Sequence, residues 1–177
     1  MALPDYFTRE FGTAIVWGEA GGSGVTNTLS LDALADAAGR MGASVDLGAV
    51  WYGLMLLELV VETGTAPAID RYVECYLAWS RNNSDWPGKV TGSDAAYPST
   101  VAQNKKQLGY PSAVLISTAD SNTILRQNAV VVIARARYVA PVVINLLGQS
   151  FRDETTASNN DSRVILTPIR QLIQDSA

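Results

Sequence analysis

The sequence predicts an all-β protein, an antiparallel β-sandwich with an extended N-terminal arm and one or two short helices. From residue 43 onward, short runs of Val, Ile, Leu, Tyr and Trp are separated by Gly, Pro, Asn, Asp and Ser, as in antiparallel sheets. Residues 71–80 alternate between two sets of side chains, which is the period-two pattern of a strand with one buried face. The side chains predicted to face the core are Val73, Cys75, Leu77 and Trp79.

Seven strands are predicted, a number typical of a sandwich. They cover residues 43–47, 54–63, 71–80, 113–118, 129–134, 138–145 and 163–166. Two stretches, residues 54–57 and 129–133, are continuous apolar runs, as expected for strands that are covered on both faces. We interpret that covering as a sign of contact with another subunit or with a loop.

A single domain is predicted, a β-sandwich over residues 29–177, which is preceded by an N-terminal arm over residues 1–28. Within the arm, residues 13–17 have the character of a strand, and residues 18–24 form a Gly- and Ser-rich loop. That loop lacks the Lys-Ser or Lys-Thr pair of a phosphate-binding P-loop, so it is interpreted as a flexible connection.

Short helical segments are predicted at two places. After Ser30 as an N-cap, apolar residues recur at helical spacing, which predicts a helix over residues 29–38. A second helical turn is predicted near residues 101–108, inside a long connection between residues 82 and 111. Connections of that length usually have a function.

Composition argues against several classes of function. The formal net charge of −4 and the pI near 4.7 disfavour nucleic-acid binding, which needs a basic surface to neutralise phosphates. A hydrophobic fraction of 47% with only 17% charged residues favours the burial of surface against other subunits. Apolar runs fall short of the roughly 18 residues that span a membrane, and no basic-then-apolar leader is seen. We therefore expect a soluble, unsecreted chain without membrane partners.

Residues for catalysis and for metal binding are scarce. The chain has no histidine, which removes the commonest general base and metal ligand, and its one cysteine, Cys75, is interpreted as a core residue. The carboxylates of Glu58, Glu62 and Glu74 are interpreted as outward-facing strand charges rather than a pair for glycoside hydrolysis. We expect no enzyme activity, no catalytic residue, no cofactor and no metal.

One cation site stays open on the sequence. Asp153, Glu154 and Asp161, with Asn159 and Asn160, offer the oxygen ligands that hard cations prefer. Their spacing matches no EF-hand loop, and a solvent-exposed hairpin tip accounts for them better. The hairpin tip is the interpretation that we favour.

Aromatic and basic residues around the long connection form the candidate interface. They are Trp86, Tyr97, Tyr110, Arg135 and Arg137. Aromatic side chains anchor protein interfaces or stack on sugars, and the turn-forming setting of Trp86 favours the interface anchor. The two arginines either contact a ligand or protect an edge strand from uncontrolled pairing.

Four stretches resemble small structural proteins of tailed bacteriophages. They are RMGASVDLG (residues 40–48), VVETGTAPAID (60–70), YLAWSRNNSDWPGKVTGSDAAYP (76–98) and ARYVAPVVINLLG (within 135–148). The resemblance runs from about residue 29 to the end of the chain. It implies a jelly-roll-like virion subunit, made in the host cytoplasm, that carries no catalytic residues.

Within that class, the resemblance favours a capsid decoration or cement protein. Such a protein would bind the major capsid protein, or other virion proteins, as a trimer or another homo-oligomer and would stabilise the head shell. A tail, baseplate or fibre-adaptor subunit is the main alternative. A carbohydrate-binding module, resting on Trp86 and Tyr97, and an enzyme, resting on unpaired carboxylates, are alternatives from other classes.

Overall fold

A computed structural model describes residues 6–48, 53–65, 67–117, 124–153 and 161–174. Within these residues, thirteen strands form two sheets that pack face to face. The antiparallel all-β sandwich that the sequence predicts is therefore confirmed. All pairs of neighbouring strands are antiparallel except β2 and β3, which are parallel.

The larger sheet has seven strands. They are β1 (Tyr6–Phe11), β2 (Ile15–Gly18), β3 (Asn27–Thr28), β6 (Leu54–Glu62), β10 (Ile124–Arg126), β11 (Val130–Ile133) and β13 (Arg163–Gln174). The smaller sheet has six. They are β4 (Gly39–Met41), β5 (Val45–Asp46), β7 (Tyr72–Ser80), β8 (Ala95–Tyr97), β9 (Ala113–Ile116) and β12 (Tyr138–Leu146).

The order of the strands is that of a jelly roll. β1 with β2, β4 with β5, and β10 with β11 each occupy one position in their sheet, and the short strands β3 and β8 are added at the sheet edges, which leaves eight principal strands along the chain. In chain order these eight are β1/β2, β4/β5, β6, β7, β9, β10/β11, β12 and β13. The first, eighth, third and sixth lie side by side in the larger sheet, and the second, seventh, fourth and fifth lie side by side in the smaller sheet. This is the double Greek-key arrangement of jelly rolls.

Two apolar cores stabilise the fold. The main core lies between the sheets and contains fully buried side chains such as Trp17, Leu57 and Val164. The second core lies on the outer face of the smaller sheet, where Tyr97 and Leu108 of the long connection pack against strands β7 and β12. Because β12 is covered on both faces, its sequence is almost continuously apolar rather than alternating.

Of the two predicted helical segments, one is confirmed and one is wrong. The predicted turn near residues 101–108 is confirmed as α1 (Ala102–Leu108), and a single 3₁₀ turn, Pro87–Lys89, lies in the same long connection. No described helix is long and apolar enough to span a membrane.

The predicted helix over residues 29–38 is wrong. Leu29 and Leu31 are both fully buried on either side of a partly buried Ser30, which is the burial pattern of an extended chain. Two turns follow, at Ala33 and Ala37, where φ is 49° and 58°. The apolar residues at helical spacing therefore belong to a looped connection between β3 and β4.

The segment expected to be an N-terminal arm contributes β1, β2 and β3 to the larger sheet. Its Trp17 is fully buried in the main core, and the indole Nε1 donates a 2.7 Å hydrogen bond to the carbonyl oxygen of Ala43. From residue 6 onward this segment is thus built into the sandwich.

Candidate interaction surface

Four apolar side chains form a row across the outer face of the larger sheet. In the antiparallel register, Ile133 lies opposite Leu54, Leu54 opposite Ile169, and Ile169 opposite Phe11. Residues directly opposite one another share a face, and the next residue of β6, Met55, points into the main core. These four residues, the apolar row, therefore point away from the core. Ile133 is 66% exposed, Phe11 65% and Leu54 40%.

The rest of this outer face changes in character along the strands. Beside the apolar row lie Val131 and Leu56, which are opposite one another in the register. Further along β6, Val60 lies between Arg126 and Arg163. The face thus has an apolar end and a charged end, and among the side chains of this face that the structure describes, those of the apolar end are the large hydrophobic ones that are exposed.

A groove of about 390 Å³ adjoins the apolar row. One wall is residues 131–133 of β11, and the other is made by β7 and by the segment that leads from α1 into β9. Tyr110 stands at the rim and is 94% exposed. We call this the edge groove; its lining includes Leu77, Trp79, Leu108, Tyr110, residues 131–133 and Arg135.

The edge groove exists because β9 covers only part of β7. The two strands pair over residues 72–75 of β7, and the chain then turns at Ser112, whose amide donates to the carbonyl oxygen of Cys75 at 2.7 Å. The hydroxyl of Ser112 accepts one further hydrogen bond, from the amide of Leu77 at 3.2 Å. Beyond that point no described strand pairs with this side of β7, so Trp79 borders an open groove.

The backbone of β11 is also unpaired on its groove side. In the ladder with β6, the amide of Ala134 donates to the carbonyl oxygen of Gly53 at 3.1 Å. Because successive residues of an antiparallel strand direct their backbone groups to opposite sides, Val130 and Val132 face β6 while Val131 and Ile133 face away from it. Among the described residues, no strand pairs with that side.

The structure brings two of the five predicted interface residues together. Tyr110 and Arg135 both line the edge groove. Tyr97 is only 3% exposed, and its hydroxyl has no hydrogen-bond partner among the described residues; burial raises the pKa of that hydroxyl to about 12. Trp86 is partly buried against the second core, and its indole Nε1 donates to the carbonyl oxygen of Asn83 at 3.2 Å.

The fifth residue, Arg137, forms an exposed ion pair with Asp46. Its Nε and Nη2 atoms each lie 2.7 Å from a carboxylate oxygen of Asp46, and its guanidinium also lies 5.2 Å from the centre of the Tyr138 ring. The hydrogen bonds from Arg137, and then that from the amide of Gly48, lower the pKa of Asp46 to about 2. This pair holds the start of β12 against β5, where Tyr138 lies opposite Asp46.

The carboxylates considered for catalysis have separate surroundings. Glu74 binds Lys105 Nζ at 2.6 Å and accepts a 3.0 Å hydrogen bond from the Tyr76 hydroxyl, in the smaller sheet. Glu62 belongs to the larger sheet and binds Arg152 Nη1 at 2.5 Å. Glu58 lies opposite Ile165, in the middle of β6. These contacts give no two of the three a common partner.

The carboxylates considered for a cation do not gather either. Asp161 pairs with Arg163, and Asp153 is exposed. Glu154, Asn159 and Asn160 lie outside the described residues. Over the described ranges, no group of three His, Cys, Asp or Glu side chains is arranged to hold a metal ion.

Sequence reasoning missed Phe11, Leu54 and Ile133 as surface residues. The available signal was the pair of continuous apolar runs at residues 54–57 and 129–133, which supply Leu54 and Ile133. Phe11 carried no signal of its own, because its place in the row depends on pairing with Ile169, more than 150 residues away in the chain. Trp79 was predicted to face the core, and it packs against the core while bordering the edge groove.

Comparisons with protein-family models, with curated proteins and with solved structures find no match to this chain. The resemblance of its turn and strand residues to virion proteins therefore stays a prediction. Fold class follows from the strand order, and function has to be argued from the surface that the residues create.

Proposed function

We propose that this chain is a non-enzymatic structural subunit of a virion, and specifically a capsid decoration or cement protein that binds the head shell in many copies. The observation that carries the proposal is the apolar row, continuous at Ile133 with the edge groove. A monomeric protein rarely leaves large apolar side chains side by side in water, so such a surface favours contact with another protein.

The expected strength of that contact suits an assembly. Burial of a fully exposed large apolar side chain stabilises a contact by roughly 1.5–3 kcal/mol. Phe11, Leu54 and Ile133 are already between one third and three fifths buried in the chain alone, so each would contribute only about 1 kcal/mol. One such contact is weak, but contacts repeated by symmetry over a shell add up.

The fold is compatible with this function and does not select it. Jelly rolls build viral capsid proteins, lectins and cupins, so the strand order supports a class of architectures rather than one activity. Here the long connection lies over the smaller sheet, and the outer face of the larger sheet is the one that exposes the apolar row. We therefore propose that the larger sheet faces the particle.

A tail, baseplate or fibre-adaptor subunit would use the same surface, and copy number separates the two roles. A carbohydrate-binding function has one observation in its favour, the exposed Tyr110 beside Trp79 in the edge groove. The opposite wall presents apolar Val and Ile side chains along an unpaired strand edge, which suits the backbone of a protein strand better than a sugar.

The test is the number of copies of this chain in purified particles, measured by quantitative mass spectrometry against the major capsid protein. A decoration protein is expected at hundreds of copies, in a fixed ratio to the shell protein. About a dozen copies would place the chain in the neck, tail or baseplate instead. Its absence from particles would overturn the proposal.

A second measurement assigns the contact to the apolar row. The double variant Phe11→Glu with Ile133→Glu should lose binding to particles that lack this protein, because it puts two charges on the proposed contact. Ile69→Glu is the matched control, since Ile69 is 68% exposed in a turn between β6 and β7 and away from the row. Equal binding by the double variant and the control would contradict the assignment.

A further inference from the structure

We propose that β11 pairs with β11 of a second copy of this chain, antiparallel and about a two-fold axis beside Val132, so that the larger sheets of two subunits join edge to edge. The pairing deepens the proposed function and rests on it, because it names the contact between neighbouring subunits. In this register Val131 lies opposite Ile133 of the partner subunit, and Val132 opposite the partner's Val132.

The backbone supplies the first reason. The N–H and C=O groups of Val131 and Ile133 face away from β6, towards the edge groove. In the proposed register they meet the same groups of the partner, so that four hydrogen bonds form across the two-fold axis. No hydrogen bond of the existing ladder is broken, because Val130 and Val132 provide the bonds to β6.

The sequence of the edge supplies the second reason. Sheet edges are normally protected by charged residues, by proline, by bulges or by short length. β10 ends in the exposed Arg126, β8 is followed directly by Pro98, and β3 is only two residues long. β11 reads Val-Val-Val-Ile, which contains no charge and no proline and has high strand propensity.

Charge compatibility favours an identical strand as the occupant. In the two-fold register Arg135 lies opposite Ala129 of the partner subunit, and Arg137 opposite the partner's Gln127. No charge therefore meets a like charge along the junction, although three arginines, including Arg126, lie within about ten residues of Val132. Cross-strand pairs of β-branched side chains, such as Val131 with Ile133, stabilise antiparallel pairing.

The edge groove supplies room for the incoming strand. The groove runs along residues 131–133, so the free edge of β11 is open rather than blocked by the smaller sheet. Val132 points to the main core, so the partner's Val132 would lie on the same side, above Leu77 and Trp79 of the groove wall. By symmetry each subunit would cover the groove of the other, and the apolar rows would continue across the junction at Ile133.

Identical edges close as a two-fold pair, so this contact gives a dimer rather than the trimer that the resemblance favours. Stable interfaces bury about 800 Å² on each partner, more than two four-residue strands provide. We therefore expect a weak, reversible dimer in dilute solution, measurable at roughly 0.01–1 mM chain and strengthened in the particle by neighbouring contacts.

Sedimentation equilibrium of the full chain tests the pairing. The wild type should associate reversibly to a dimer. Val131→Lys, which places a charge on the edge, and Val131→Pro, which removes only the outward N–H, should each weaken association at least tenfold with little change in Tm. Ile116→Lys is the matched control, because Ile116 is 64% exposed on the other unprotected edge, β9. It should associate like the wild type.

Three outcomes would overturn the pairing. They are a wild type that stays monomeric up to 1 mM, a Val131→Lys variant that dimerises like the wild type, and equal weakening by Ile116→Lys. Equal weakening by Ile116→Lys would assign the association to β9 or to non-specific hydrophobic contacts.

The register has its own test. Opposed residues between the hydrogen-bonded pairs have Cα atoms about 4.5 Å apart, which a disulfide can bridge. Val132→Cys should therefore form a disulfide-linked dimer on mild oxidation, whereas Ile116→Cys should not. The native Cys75 is buried and will not compete. A chain that is monomeric in solution but present at hundreds of copies in particles would contradict the pairing and support the proposed function. A chain that dimerises but is absent from particles would support the pairing and contradict the proposed function.

Discussion

The amide of Gly42 donates a 2.9 Å hydrogen bond to the carbonyl oxygen of Pro141, in the middle of the central strand β12. Proline is normally excluded from central strands because it has no N–H to donate. Here Pro141 lies at the gap between β4 and β5, where the neighbouring strand is interrupted. The larger sheet repeats the arrangement: the amide of Gly12 donates to the carbonyl oxygen of Pro168 at 2.8 Å, between β1 and β2.

Gly42→Ala should destabilise the protein. A Cβ at this position would lie 2.9 Å from Pro141 Cγ and 3.3 Å from Leu29 Cβ, so the chain must move to admit it. We expect a loss of about 1–3 kcal/mol in the free energy of unfolding, measured by urea titration. Gly53→Ala is the control, since its Cβ would meet nothing within 4 Å. Equal midpoints for the two variants would contradict the tight packing at Pro141.

Trp17→Ala should strongly destabilise the sandwich. The side chain is fully buried in the main core, and its removal should cost about 3–5 kcal/mol. Phe11→Ala, at an exposed position of the apolar row, should cost less than about 0.5 kcal/mol. Differential scanning calorimetry measures both. A Trp17→Ala variant as stable as the wild type would mean that the N-terminal strands separate from the sandwich.

Arg137→Gln should raise the pKa of Asp46. The carboxyl group is held at about 2, below its ordinary 3.8, first by hydrogen bonds from Arg137 and then by the amide of Gly48. Because the folded pKa is the lower one, the pair stabilises the fold above about pH 4, and the contribution disappears as the pH falls to about 2. NMR titration of the side-chain carboxyl should show a pKa near, but still below, 3.8 in the variant. Arg135→Gln should leave it unchanged.

Cys75 should resist thiol reagents in the folded protein. Complete burial in the main core raises the pKa of the thiol to about 12, so almost no reactive thiolate is present at neutral pH. Labelling with a chromogenic disulfide reagent should be slow in buffer and complete in denaturant. Rapid labelling in buffer would show that β7 opens locally without global unfolding.

Strands with a clear apolar pattern could be predicted from the sequence, and short ones could not. β6, β7 and β12 each have nine residues, enough to display an alternating or a continuous apolar run. β4, β8 and β10 have three residues each and display no period. The sequence predicts that β13 ends at Leu166, whereas it continues to Gln174. Proline normally marks the end of a strand, but Pro168 is tolerated because it lies opposite the gap between β1 and β2.

Helical spacing misled at residues 29–38 for a related reason. Leu31, Leu34 and Ala38 would lie on one face of a helix. The chain instead buries Leu29 and Leu31 from an extended segment and then turns at Ala33 and Ala37. Ser30, predicted as a helix cap, donates its hydroxyl to Asp94 at 2.6 Å instead. That partner is 64 residues away, so only the tertiary fold reveals it.

The sequence predicted that the chain has an interaction surface, but it identified only some of the residues of that surface. Residue type selected Tyr110 and Arg135, which lie in loops and stay near the groove. The same criterion selected Tyr97, but the long connection carries that side chain into the second core. The four residues of the apolar row come from four strands separated in the chain, and their proximity depends on register, which no local pattern encodes.

Because β1 and β2 pair with β13, the larger sheet can be completed only late in synthesis. β13 is the strand that lies between β2 and β6, so until the ribosome has made it, β2 and β6 cannot be joined in one sheet. A nascent chain must therefore hold Trp17, Leu57 and Leu59 without their final partners while the rest is translated. Such long-range pairing is slow and exposes the chain to aggregation, so chaperone supply should limit the yield of this protein more than the stability of its finished fold.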